Sequence, residues 1–255
     1  MKIVAAGMTD VGRKRDHNED EFVVESDDRL FAVADGMGGH AAGEVASRIA
    51  IQSIVEFVQS TRQNIDATWP YEYDTNLSTD GNMLRTAIWL ANQKICEAVQ
   101  ETAEFKDMVT TVVGLLVSDD SKATVAHVGD SRAYLLRDGE IRQITSDHSW
   151  VNEQCKQGFL TPDDAIRHPF RNVVTRALGS RREVIVDLTE ESLQPDDRVL
   201  LCSDGLNSML DDAAILRAAG EAGTDLEQAC GDLIAAANDQ GGDDNITVIL
   251  VHATA

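Results

Sequence analysis

Residues 111–144 read TVVGLLVSDDSKATVAHVGDSRAYLLRDGEIRQI, and the pattern of this stretch decides the fold. Short apolar runs at 111–118, 123–128, 132–137 and 140–144 are rich in β-branched residues and are broken by Asp, Gly and charged clusters, as strands are. Asp138-Gly139, between the last two runs, suits the tight turn of an antiparallel hairpin. Working outward, further strands are expected over 2–8, 21–25, 30–34, 183–188, 198–202 and 245–252. A helix is expected over 40–59, where Val45, Ile49, Val55 and Val58 recur at three- and four-residue steps, and others over 83–104, 212–219 and 226–237. Antiparallel strands with helices in pairs between them predict an α+β fold. Two antiparallel sheets pack together and helix pairs cover them, as a four-layer α-β-β-α sandwich.

The 255 residues contain no Pro/Gly/Ser-rich linker, internal repeat or low-complexity block, so a single domain over 1–255 is expected. Periodicity lapses at about 60–82, which reads as a surface excursion. Its Trp69, Tyr71 and Tyr73 either pin that loop to the body or form a partner surface. A polar stretch follows the hairpin over 147–172.

Acidic side chains number 44 against 22 basic ones, and the net charge of −22 repels nucleic acid and anionic membrane. A phosphate-bearing substrate would therefore need a local cation. Cys96, Cys155, Cys202 and Cys230 lie far apart, without C-x-x-C or zinc spacing, which points to free thiols in a reducing cytoplasm. Residues 1–7 are too short an apolar stretch for a signal peptide, and no apolar run reaches the length of about 18 needed to span a bilayer.

Placement of the acids is more informative than their number. Apolar strands run directly into Asp35-Gly36, through Gly129 into Asp130, and into Asp204-Gly205, while Asp20 and Asp244-Asn245 each stand before a strand. Carboxylates at the rims of buried strands are partly desolvated, and when several converge they repel unless cations lie between them. Oxygen ligands without neighbouring Cys or His favour Mg²⁺ or Mn²⁺ over Zn²⁺ or Cu²⁺, and adjacent glycines let a backbone carbonyl join the shell. Turn chemistry alone also produces Asp-Gly after a strand; the repetition of the pattern is what favours a site.

Other catalytic machinery is excluded. Gly36, Gly38, Gly39 and Gly43 are followed by Glu44 rather than Lys-Ser/Thr, so they form no P-loop. No cysteine has an Arg six positions later, as a thiolate phosphatase loop needs; after Cys202 that position is Ser208. H-E-x-x-H and G-x-S-x-G are absent as well. Metal-activated water remains.

The motifs Arg15-Asp16-His17-Asn18-Glu19-Asp20, Asp35-Gly36-Met37-Gly38-Gly39, Val128-Gly129-Asp130-Ser131-Arg132, Ser203-Asp204-Gly205 and Gly242-Asp243-Asp244-Asn245 occur in that order. In order and separation they resemble the metal-dependent protein phosphatases of the protein phosphatase 2C type, over nearly all of residues 8–251. The segment at about 147–172 and its continuation Thr175–Gly179 resemble the flap of the bacterial branch. This resemblance implies a monomeric phosphatase acting on phosphoserine and phosphothreonine and opposing serine/threonine kinases. It also implies two or three Mn²⁺ or Mg²⁺ ions. Asp35 would bridge two of them, the Gly36 carbonyl would ligate one of the two, and Asp204 and Asp244 would complete the shell of the first ion. Glu19 and Asp20 would hold the second ion largely through waters, Asp130 with Asp204 would form a third site, and Arg15 would grip the phosphate. A water bridging the ions would then attack phosphorus in line.

Two positions depart from the family pattern. Met37 stands where many eukaryotic relatives place His, so the leaving oxygen must be protonated by another group, His40 or a metal-bound water. Val109 replaces the glycine of the family's Gly-Thr-Thr before Thr110 and Thr111. Arg132 has two readings, a phosphate contact or an ion pair. Two other functions remain in view: a catalytically silent docking module on the same fold, and a hydrolase of small phosphoesters.

Overall fold

Leu30, Ala32 and Ala34 face one apolar core while Phe31 and Val33 face another. A strand buried on both sides explains why this stretch is apolar without a break rather than alternating. The computed structural model describes residues 1–38, 42–64 and 69–254. Its strands are β1 (Lys2–Asp10), β2 (Asp20–Glu25), β3 (Leu30–Met37), β4 (Val109–Thr110), β5 (Val112–Val117), β6 (Lys122–Val128), β7 (Arg132–Arg137), β8 (Glu140–Gln143), β9 (Asp187–Ser192), β10 (Arg198–Cys202) and β11 (Ile246–Thr254). Its helices are α1 (Ala42–Gln63), α2 (Thr79–Glu101), α3 (Trp150–Lys156), α4 (Pro162–Ile166), α5 (Asp204–Asn207), α6 (Asp212–Glu221) and α7 (Leu226–Asp239).

Every named strand pair is antiparallel. One sheet runs β1-β11-β10-β7-β8 and the other β2-β3-β5-β6-β9, with β4 paired to β3. Phe31, Val33, Val113, Leu115 and Val125 from the second sheet meet Leu135, Val199, Leu201, Ile249 and Val251 from the first in a shared inner core. The outer face of the second sheet buries Ala46, Ile54, Leu84, Ile88 and Ile95 of α1 and α2. On the opposite side Ile215, Leu226, Leu233 and Ile234 of α6 and α7 cover the first sheet. This is the expected α-β-β-α layering.

Several elements depart from expectation. Asp35 and Gly36 lie inside β3 rather than in a turn after it, because Asp35 pairs with Asp20 across β2 and Gly36 with Thr110 across β4. The strand expected over 183–188 instead occupies Asp187–Ser192. Residues 183–186 are held beside α2 by Trp89, whose Nε1–H donates to the Val184 carbonyl at 2.9 Å, so side-chain contact overrides their β-branched character. The polar stretch 147–172 contains α3 and α4, each begun by a hydroxyl cap, Ser149 and Thr161. Helix α2 likewise starts at Thr79, behind the Ser78 cap, several residues before the expected 83. In the 60–82 excursion, Trp69 packs edge-on against Phe57 at 5.7 Å and Tyr71 against Trp89 at 5.1 Å, so these aromatics pin the loop to the helices. His40 lies outside the described residues.

Candidate active site

Strand direction alone brings the acids together. In the second sheet β3 and β6 are both antiparallel to β5, so their C-terminal ends, carrying Asp35 and leading to Asp130, share one edge. The start of β2, with Asp20, lies on that same edge. In the first sheet the end of β10 and the start of β11 adjoin, which places Asp204 beside Asp244. Asp20 joins the two edges, because its Oδ2 accepts from the hydroxyls of Ser203 and Thr247, each at 2.7 Å.

A cavity of about 230 Å³ opens there, walled by Arg15, Glu19, Asp35, Gly36, Asp130, Asp204 and Asp244. Asp20 lies behind that wall, 9% exposed. The structure thus brings seven of the eight predicted site residues onto one cavity and the eighth directly against it. Met37 is also on the wall, and among the described residues lining the cavity there is no His. A larger groove of about 750 Å³, lined by Tyr71, Trp89 and residues 181–185, carries no such group of acids.

Local architecture holds each acid in place. The Asp35 carbonyl accepts from Thr110 Oγ1 at 2.8 Å and from the Thr111 amide at 2.9 Å. Gly36 is pressed so closely to α1 that a Cβ there would sit 2.1 Å from the Gly43 carbonyl oxygen. No side chain fits, and the backbone of Gly36 is therefore presented bare to the cavity. Val109, in place of the family glycine, forms β4 with Thr110 and pairs with Met37, so it alters backbone pairing beside the site. Asn245 fixes the loop carrying Arg15 and Glu19. Its Oδ1 accepts from the Glu19 amide at 2.8 Å, and its Nδ2 donates to the carbonyls of Val11 and His17, both at 2.9 Å.

The electrostatics are those of an anionic cluster short of cations. Burial first, then the charges of Asp20, Asp204 and Asp130, pushes Asp35 well above the usual carboxylate range. Burial raises Asp20 to about 7 against the opposing help of its two hydroxyl donors, and it raises Asp130 to about 7, with Asp204 adding to the effect. Asp204 rises to about 6 through burial and the neighbouring Asp244, and Glu19 is raised by burial as well. Among the described residues walling the cavity, Arg15 is the one cation. It is half exposed and reaches Asp244 Oδ2 at 2.6 Å. A crowded, oxygen-only donor set with a bare glycine backbone fits hard divalent ions, which would relieve the repulsion that burial creates.

Of the two adjacent aspartates, Asp243 is half exposed and pairs with Lys14 at 2.5 Å, while Asp244 faces the cavity. Arg132 takes the ion-pair reading: its Nε and Nη2 engage Asp147 at 2.9 and 2.6 Å, and its Nη1 donates to Tyr134 Oη at 2.8 Å. Asn172 and Val174 reach the cavity from the segment after β8. Asn172 belongs to the segment that resembles the flap, yet neither residue was expected at the site, because their place depends on how that segment folds back. A group of three metal-capable side chains, His127, His148 and Asp187, with ligand atoms within 4.8 Å of one another, was also not foreseen.

The protein phosphatase 2C family model matches residues 12–247. The chain belongs to the protein phosphatase 2C family. This 2C-type phosphatase is 38% identical over 247 residues to the serine/threonine phosphatase Stp of Listeria innocua, covering 96% of this chain and 93% of that one. Its fold matches the crystal structure of the Mycobacterium tuberculosis serine/threonine phosphatase PstP/Ppp with a TM-score of 0.87 and 35% identity, over 100% of both chains. It also matches a PstP catalytic domain solved in complex with two manganese ions, with a TM-score of 0.83 and 34% identity over 99% of each chain. The phosphatase family is metal-dependent, and one of these neighbours was solved with two manganese ions.

Proposed function

We propose that this chain hydrolyses phosphoserine and phosphothreonine in proteins, with two or three Mn²⁺ or Mg²⁺ ions held by Asp35, the Gly36 carbonyl, Asp204, Asp244, Glu19, Asp20 and Asp130. The observation that carries this reading is the convergence of carboxylates from both sheets on one cavity beside a single arginine. When bound, the ions supply a water acidified enough to react near neutral pH and positive charge to offset the phosphoryl oxygens. The chain's own contribution is position. Ser203 and Thr247 orient Asp20, the Thr110 hydroxyl and Thr111 amide fix the Asp35 backbone, and Arg15 stands at the rim to receive a phosphate once Asp244 turns to a cation. Phosphoproteins, including serine/threonine kinases, are the proposed partners of a monomer. No helix among the described residues is long and apolar enough to cross a membrane, and the free cysteines suit a reducing cytoplasm.

A phosphothreonine peptide assay in Mn²⁺ tests the reading. The peptide is expected to be dephosphorylated far faster than a nucleotide, and chelator should stop the reaction. Arg15→Ala should lower kcat/KM by about 10- to 100-fold, the worth of one charge-assisted contact to phosphate. Equal rates on nucleotide and peptide would favour a small-phosphoester hydrolase, and no turnover of either would favour a silent docking module.

A further inference from the structure

His127, His148 and Asp187 sit close enough to hold an ion, yet their hydrogen bonds argue for another role. The Gly129 amide donates to His148 Nδ1 at 3.0 Å, so that nitrogen is an unprotonated acceptor. Burial pushes His148 down to about 4, so the ring is neutral near pH 7 and its proton must sit on Nε2. A metal at Nε2 would have to strip that proton and leave an imidazolate. Nε2 lies 3.2 Å from Asp187 Oδ2 but makes no hydrogen bond there. His127 stacks on His148 with ring centres 4.6 Å apart, and its own Nε2–H donates to the Ser146 carbonyl at 3.0 Å.

The contacts of His148 run to two places. Its ring and its backbone both hold Gly129, since the His148 amide donates to the Gly129 carbonyl at 2.9 Å. Gly129 has φ +114, a conformation open to glycine, and it is the residue immediately before Asp130. The other contacts reach the returning leg of the 147–178 segment. The Thr175 amide donates to the His148 carbonyl at 2.8 Å, and Arg176 Nη1 donates to the far oxygen of Asp187, also at 2.8 Å. His148 therefore ties the backbone that leads to Asp130, held by its ring and its amide, to the segment that carries Asn172 and Val174 onto the cavity wall, held by its carbonyl.

We infer that His148 is a positioning residue that sets the direction of the Asp130 carboxylate through the Gly129 amide and couples it to the 147–178 segment. This rests on the proposed role of Asp130 as a metal ligand. Partners behind a metal ligand typically change metal affinity by about 10- to 100-fold when altered.

The test uses Mn²⁺ calorimetry on the full chain, with thermal melting in chelator to report folding and with kcat and KM measured on an aryl phosphate. His148→Asn places its Oδ1 where Nδ1 stood and keeps an acceptor for the Gly129 amide. His148→Gln reaches toward Asp187 and leaves that amide unpaired. The Gln variant is expected to bind its weakest Mn²⁺ about 10- to 100-fold less tightly, and the Asn variant to stay within about threefold of wild type. Combined with Asp130→Ala, His148→Gln should add no further loss of Mn²⁺ binding. Equal damage from Asn and Gln, wild-type binding in the Gln variant, or additive losses in the double variant would each overturn the inference. If Asp130→Ala alone left Mn²⁺ binding untouched, the role of Asp130 would fall, and this inference with it.

Discussion

Asp204→Ala is expected to lower kcat/KM toward an aryl phosphate by on the order of 10³-fold or more, and at the same time to raise the melting temperature of the metal-free protein. Loss of activity follows from loss of an ion-holding ligand, since several kcal/mol of transition-state stabilisation depend on the ions and each 1.4 kcal/mol is tenfold in rate. Gain of stability follows from the same geometry. Asp204 starts α5 beside Asp244, and burial with that neighbour raises it to about 6, so its ionised form is under strain in the folded state. Alanine removes the charge and is itself the best helix former. A residue that mattered only for folding would lose both quantities together. Kinetics in Mn²⁺ and melting in chelator distinguish the two cases, and an Asp204→Ala protein with wild-type turnover would remove Asp204 from the site.

The buried acids should cost metal-free protein stability as pH rises from about 4 to about 7, the reverse of ordinary acid denaturation, and this loss should exceed the opposing gain from His148, which burial holds neutral down to about 4. Folded values of about 7 for Asp20 and Asp130 and about 6 for Asp204 stand above the value of roughly 3.9 for an unfolded Asp. Across that window the folded state holds more protons than the unfolded one, so these groups cost stability increasingly as pH rises through their folded values. Below the unfolded value the cost vanishes. Saturating Mn²⁺ cancels the repulsion and flattens the dependence. At a concentration 100 times its Kd, binding adds about 2.7 kcal/mol, which for a chain of this size is roughly 5–10 °C. Melting curves at pH 5 and 7.5, with chelator and with Mn²⁺, measure both effects; a chelated protein that melts higher at pH 7.5 than at pH 5 would show that the acids do not repel one another as described.

Layering was readable from the sequence because β3, β5, β6, β10 and β11 are buried on both faces and therefore read as unbroken apolar runs. The acids were readable for a related reason, since a carboxylate directly after such a run must lie at the rim of a buried sheet. The membership of Asp35 and Gly36 in β3 was not, because the pairing of Asp35 with Asp20 and of Gly36 with Thr110 is set by partners distant in sequence. The start of β9 was misplaced for the same reason: Val184 and Val186 are good strand formers, yet they pack against α2. Arg132 carried two readings until its partner Asp147 was placed, 15 positions away with no periodic relation to it. His148 was legible only as part of Asp147-His148-Ser149 at the start of the flap resemblance and not as a site residue, since its importance lies in a hydrogen bond to the backbone of Gly129.

The central claim is that Asp35, Asp204 and Asp244 surround divalent ions. Crystals grown in Mn²⁺ and measured at the manganese absorption edge locate those ions directly. At least two anomalous peaks are expected in the cavity between these carboxylates and the Gly36 carbonyl. Peaks lying only beside His127, His148 and Asp187, with none between the three aspartates, would contradict it.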